Sequence, residues 1–139
     1  MTQIRRVTTY FVPHLILILV SGFVLSACKS AHIQNVENRP FNSGVELPLE
    51  TIALHIKLIA APRGWSFADV APGHLIATME TPKHTARVNV HFTKHDFSIT
   101  YLDSENMQSD GRSIHSRYTR WLDILSHDLA TQVGLVQMN

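Results

Sequence analysis

A single cysteine, Cys28, stands among the 139 residues, so no intramolecular disulfide can form and a zinc site built on several thiolates is excluded. Charge is scarce at 17% of residues, and a formal net charge of +1 leaves no basic excess with which to neutralise phosphates. The electrostatic case for nucleic acid falls with it. No GxSxG elbow presents a serine nucleophile, and no HExxH sets two histidines and a general base on one helical face. Internal repeats and low-complexity segments are also missing, so neither a solenoid nor a biased tail is indicated. The strongly apolar stretch before Cys28 is interrupted by Pro13 and His14, and it falls short of the roughly 20 residues that a spanning helix needs.

What the N-terminal segment contains is an ordered layout. Arg5 and Arg6 precede an apolar run centred on Leu15, Ile16, Leu17, Ile18, Leu19 and Val20, and small residues follow. A secretory signal peptide has these three parts, with its positive end held on the cytoplasmic side. The run closes on Leu25-Ser26-Ala27-Cys28, which resembles the bacterial lipobox at all four positions. That resemblance implies that diacylglycerol is attached to the Cys28 thiol and that the chain is cut just before it, where Ser26 and Ala27 allow close approach. Residues 1–27 are then a lipoprotein signal peptide and Cys28 is the lipid-attachment residue. The membrane is the first expected partner, since two or more acyl chains anchor stably where one alone is marginal. Lys29 follows where an aspartate would signal retention, which implies by the same resemblance the outer membrane, with the protein facing the periplasm.

Cleavage would leave ten basic residues against eleven acidic ones. Residues 28–44, polar with Asn35, Asn38, Arg39-Pro40, Asn42 and Ser43-Gly44, show neither helical nor strand periodicity and are expected to form a flexible tether, the alternative being that the apolar Ile33, Val36 and Phe41 dock on the domain. Residues 45–139 are expected to form one domain. Pro48 suits the first turn of a helix in which Leu49, Ile52, Ala53, Ile56, Ile59 and Ala60 recur at three- and four-residue spacing, with Pro62 and Gly64 ending it. Two short strands, residues 65–70 and 75–80, flank the turn residues Ala71, Pro72 and Gly73. Residues 86–92 alternate strictly between apolar and polar, and Phe97, Ile99 and Tyr101 resume that alternation after a polar turn. Ser113 is the expected N-cap of a last helix whose stripe is Ile114, Tyr118, Trp121, Leu122, Leu125 and Leu129, with Gly134 as its stop. The expected fold is an α+β two-layer sandwich, a four-stranded antiparallel meander flanked in sequence by an N-terminal and a C-terminal helix.

Residues 114–122, following residues 99–104, also resemble a pattern of small uncharacterised envelope lipoproteins of Gram-negative bacteria, over roughly the C-terminal half of the chain. The resemblance implies fold and envelope location, and it brings no activity and no functional residue with it.

Eight histidines lie beyond residue 27, and His91 with His95, joined by His84 or His115, is the metal grouping to weigh. His84 and His91 sit about 23 Å apart along one strand at 3.3 Å per residue, so they cannot share an ion. No metal or other cofactor is therefore assigned. Ser113 with His115, and Asp103 with Glu105, are the only arrangements that invite a catalytic reading. Neighbours two apart on a helix diverge, and nothing marks the carboxylates as perturbed, so no enzyme activity is expected. The expected interaction face is the wet side of the sheet, carried by Arg87, Asn89 and His91 with His74 and Thr78 beside them. Arg112 and His115, at the entrance of the last helix, form a candidate rim for an anion or ligand. The expected function is a lipid-anchored binding or structural module acting through an envelope protein partner, with a small-molecule or metal-binding lipoprotein as the alternative.

Overall fold

Four strands follow one another through short connections, and their alternating sequences decide which side chains are buried. The computed structural model describes residues 30–135; the expected signal peptide and the lipid-attachment residue Cys28 lie outside them. Two short strands, β1 (Ser30–His32) and β2 (Val36–Pro40), open the described chain. Helix α1 (Leu49–Ala60) is followed by a short 3-10 turn over Ala61–Arg63, and then by β3 (Trp65–Ala71), β4 (His74–Glu80), β5 (Thr85–Phe92) and β6 (Asp96–Glu105). Strand β7 (Ser113–His115) and helix α2 (Arg117–Gln132) complete it. Strands β3 to β6 form an antiparallel meander. Leu75, Ala77 and Met79 from β4, Ala86, Val88 and Val90 from β5, and Phe97 and Ile99 from β6 are all buried on one side.

Both helices lie on that side. Ile52, Ile56 and Ile59 of α1 and Tyr118, Leu122, Leu125 and Leu129 of α2 join the strand residues in one core. Three- and four-residue spacing gathers these side chains into a single stripe on each helix, which is why each helix buries one face. The Tyr118 ring meets Tyr101 edge-on at 5.6 Å between centroids, and its hydroxyl donates to the Gln34 carbonyl at 3.3 Å. Helix α1 ends as its prolines and glycines lead one to expect, with Gly64 in the left-handed conformation at φ 96°. Helix α2 ends at Gln132, and Gly134 lies just beyond it at φ 91°.

The architecture is α+β, but the strand count and the tether are corrected. The sheet has five strands in the order β2-β6-β5-β4-β3, and a separate two-stranded sheet pairs β1 with β7. The supposed tether supplies β1 and β2, while β7 comes from the expected start of the last helix. Val36 sits opposite Ile99, Arg39 opposite Phe97 and Pro40 opposite Asp96, so β2 uses the hydrogen-bonding groups on the free edge of β6. Phe41 then stacks on the buried Phe97 at 5.3 Å, and Asn35 Oδ1 accepts from the Tyr101 amide at 3.0 Å. The register of β2 shifts between Val36 and Arg39, where Asn38 takes φ 47°, and this breaks the two-residue period that would otherwise mark a strand. Pro40 is tolerated because the strand is at an edge.

The start of the last helix also moves. Ser113 is part of β7 and not a cap; α2 begins at Arg117, with Ser116 as its N-cap residue. Pairing with β1 explains the change: Ala31 lies opposite Ile114, and Ile114 is fully buried, so the strand conformation inserts a core side chain that the helical reading had assigned to the stripe.

Candidate functional site

The side of the main sheet away from the helices carries the polar half of each alternating strand. Antiparallel pairing sets His74 opposite His91, Ile76 opposite Asn89 and Thr78 opposite Arg87. On the next strand, Ser98 faces His91, Thr100 faces Asn89 and Asp103 faces Arg87. All five residues expected to form an interaction face, Arg87, Asn89, His91, His74 and Thr78, therefore share one continuous patch. They are exposed or half-buried, and α1 and α2 both pack on the opposite side.

Arg87 is already committed at one end of this patch. Its Nε donates to Asp103 Oδ1 and its terminal nitrogen donates to Glu105 Oε1 at 3.1 Å. These contacts, the hydrogen bond to Asp103 first, hold the guanidinium above its ordinary pKa. The two carboxylates that invited an acid-base reading thus serve as counter-ions to one arginine.

The other end is built from two imidazoles. The rings of His74 and His91 stack with centroids 3.9 Å apart and planes 21° from parallel. His74 Nε2 lies 2.9 Å from Asn89 Oδ1, and since an amide oxygen only accepts, this nitrogen carries the proton and donates. Partial burial, followed by the neighbouring His74, lowers the pKa of His91 below the ordinary 6.5. Removal of water from the ring and repulsion from its stacked neighbour both disfavour the charged form of His91.

Arg112 and His115 are not brought together as a rim. They lie at opposite ends of β7, because Ile33 donates its amide to the Arg112 carbonyl while His115 pairs with Ser30. The Asp110 carboxylate already accepts the amides of Arg112 at 2.8 Å and Ser113 at 2.6 Å, and the Ser113 and Arg112 bonds hold Asp110 below the usual carboxylate range. Only His115 reaches the helix entrance, where its Nδ1 accepts from the Arg117 amide at 3.1 Å. Ser113 and His115, now two apart on a strand, share a face, but about 7 Å of backbone separates them.

The histidines sort into pairs other than those weighed from spacing. His91 joins His74, His84 approaches His115 at 5.2 Å between centroids, and His95 lies 3.5 Å from Glu46. Among the described residues no three His, Cys, Asp or Glu side chains converge as a metal cluster.

A groove missed by the sequence reading lies between α1 and the β3–β4 turn. It encloses about 910 Å³, with Leu49, Ala53, Leu54, Val70, Leu75 and Phe92 among its lining residues. Lys57 and Asp69 bridge its rim at 2.7 Å. Leu54 and Val70 are 41% and 51% exposed. The available signal was Leu54, an apolar residue of α1 that stands outside its buried stripe.

Comparison with protein-family models, with curated proteins and with solved structures finds no match to the chain.

Proposed function

We propose that the chain is a lipid-anchored cell-envelope protein, a two-layer α+β module that docks on an envelope protein partner through the polar face of its meander. The observation that carries the reading is the sequence Leu25-Ser26-Ala27-Cys28 behind a charged and then apolar segment, set immediately before a folded domain. Strand β1 begins at Ser30, two residues after Cys28. Two residues reach at most about 7 Å, so acyl chains on Cys28 would hold the β1–β7 end of the domain close to the bilayer surface. The outer membrane, seen from the periplasm, is the proposed location.

What supports docking there is the continuity of hydrogen-bonding groups across three strands: His74 and Thr78, then Arg87, Asn89 and His91, then Ser98 and Thr100. Such a face suits a polar protein surface with satisfied hydrogen bonds better than a greasy ligand.

Two measurements test the reading. Globomycin should cause accumulation of a longer, uncleaved form, and labelled palmitate should enter the protein unless Cys28 is replaced by Ala. A photo-crosslinking residue at Ile76, in the middle of the face, should capture one reproducible envelope protein, while the same residue at the exposed Leu58 of α1 should not. Absence of lipid incorporation defeats the anchor, and equal or absent capture at both positions defeats the docking face.

A further inference from the structure

We propose that His74 and His91 chelate a divalent transition-metal cation of the copper, nickel and zinc class at the open end of the sheet. The inference is independent of lipidation and of protein docking, since it rests on the geometry of one cross-strand pair.

His74 and His91 are directly opposite each other on neighbouring antiparallel strands. The Phe92 amide donates to the Gly73 carbonyl at 2.8 Å, so the backbone bond runs between residues flanking the pair and not between the histidines themselves. That pattern defines the narrow type of antiparallel pair, in which Cα atoms are about 4.5 Å apart and the side chains approach most closely. Both rings already lie side by side on the solvent face at 3.9 Å. Two imidazole nitrogens bound at about 2.0–2.1 Å to one ion stand roughly 3 Å apart when adjacent. Rotation of the rings about their side-chain bonds sets that nitrogen spacing when an ion binds, with His74 and His91 already opposite each other in the ladder.

Proton bookkeeping on the rings favours the same outcome. Asn89 Oδ1 holds the proton on His74 Nε2, which leaves the lone pair on Nδ1. A carboxamide fixing the second nitrogen is the outer support that metal-binding histidines ordinarily have. His91 is exposed on the same face, so an ion can approach its ring from solvent without displacing any packed side chain. Two imidazoles supply two ligands, and water fills the rest, a nitrogen-oxygen set that suits copper(II) and nickel(II) and accommodates zinc. Affinity should follow the order in which copper(II) binds most strongly.

The second histidine pair makes the contrast. His84 and His115 are 5.2 Å apart and tilted by 32°, they do not face each other across a ladder, and His115 Nδ1 already accepts from the Arg117 amide. Among the described residues no histidine stacks on His95, which approaches Glu46 instead.

The test is copper(II) titration of the full chain, followed by electron paramagnetic resonance and by competition with a chelator of known affinity. The expected result is one tight copper per chain with two equatorial nitrogen ligands. His74→Gln or His91→Gln should each weaken binding at least tenfold and reduce the signal to one nitrogen, and the double variant should be little worse than either single. His84→Gln and His95→Gln should stay within twofold of the unaltered chain, and Asn89→Ala should lose about tenfold through loss of ring support. A two-nitrogen signal that survives His91→Gln, or an equal loss in His84→Gln, overturns the proposal. Should a variant fail to fold, zinc addition to the unaltered chain followed by imidazole NMR decides instead. Shifts confined to His74 and His91 sustain the site, and shifts elsewhere or none refute it.

Discussion

Replacing Phe41 by Ala separates a folded edge strand from a free tether. Phe41 is half-buried, and its ring stacks on Phe97, which is 1% exposed, at 5.3 Å between centroids. Its amide also donates to the His95 carbonyl at 2.9 Å, which holds the chain at the end of β2. A half-buried phenylalanine withdraws about 100 Å² from water, about 2.5 kcal/mol at 25 cal/mol/Å². Truncation to alanine keeps the backbone bond but forfeits most of that area and the ring pairing, itself about 1 kcal/mol. The expected loss is about 2–3 kcal/mol, which for a domain near 100 residues lowers the melting temperature by roughly 10–20 °C. Urea unfolding followed through the fluorescence of Trp65 and Trp121, with thermal unfolding by circular dichroism, measures it. A surface residue on a mobile linker would cost less than about 0.5 kcal/mol. A shift that small would show that the segment before α1 contributes no packing, and the five-stranded sheet would then be wrong at its β2 edge.

Gly73→Ala should cost about 2–3 kcal/mol, because φ is +79° and the added Cβ would meet the Phe92 carbonyl oxygen at 2.8 Å; an unchanged denaturation midpoint contradicts the turn geometry. Arg63→Met should cost about 1–2 kcal/mol in the same assay, since among the described residues it leaves the Asp128 carboxylate, 7% exposed, with the Gln132 amide at 3.1 Å. His91 has a folded-state pKa below 6.5, so its neutral form stabilises the fold above that pH and the contribution is lost as pH falls through the lowered value. His91→Gln should flatten the acid limb of the stability curve, and an unaltered limb rejects His91 as its source. Tyr118 behaves in the opposite sense: burial, then Tyr101, raises its pKa to about 12, so its stabilisation is intact below pH 10 and disappears between 10 and 12. Tyr118→Phe should remove that alkaline loss, which alkaline unfolding curves of the two chains would reveal.

The elements legible in the sequence are those whose burial is decided by near neighbours. Strand β5 alternates apolar and polar residues without a break, and α2 repeats its stripe over sixteen residues, so periodicity alone identifies both. Strands β1, β2 and β7 are of another kind. Their three, five and three residues owe their conformation to partners far along the chain, with Ser30 facing His115 and Val36 facing Ile99. No local pattern encodes such a pairing, and the bulge in β2 erases what little period it has. The error over Ser113 has the same origin, and it carried the Arg112–His115 rim with it.

The candidate face was legible for a related reason, and its most specific feature was not. Alternation assigns Arg87, Asn89 and His91 to one side without reference to any partner strand. Pairing His74 with His91 needs the register, which depends on the turn. Thr81 donates its amide to the His84 carbonyl at 2.9 Å and closes that turn, so Glu80 stands opposite Thr85. From there each step back along β4 is matched by one step forward along β5, and six steps bring His74 opposite His91. Pro82 inside the turn was the visible marker for this counting. Judging histidines by their separation along the chain, as with His91 and His95, tests neighbours within one strand or turn. In an antiparallel ladder the chelating partner lies across the hairpin, at a separation set by the turn and not by any fixed spacing.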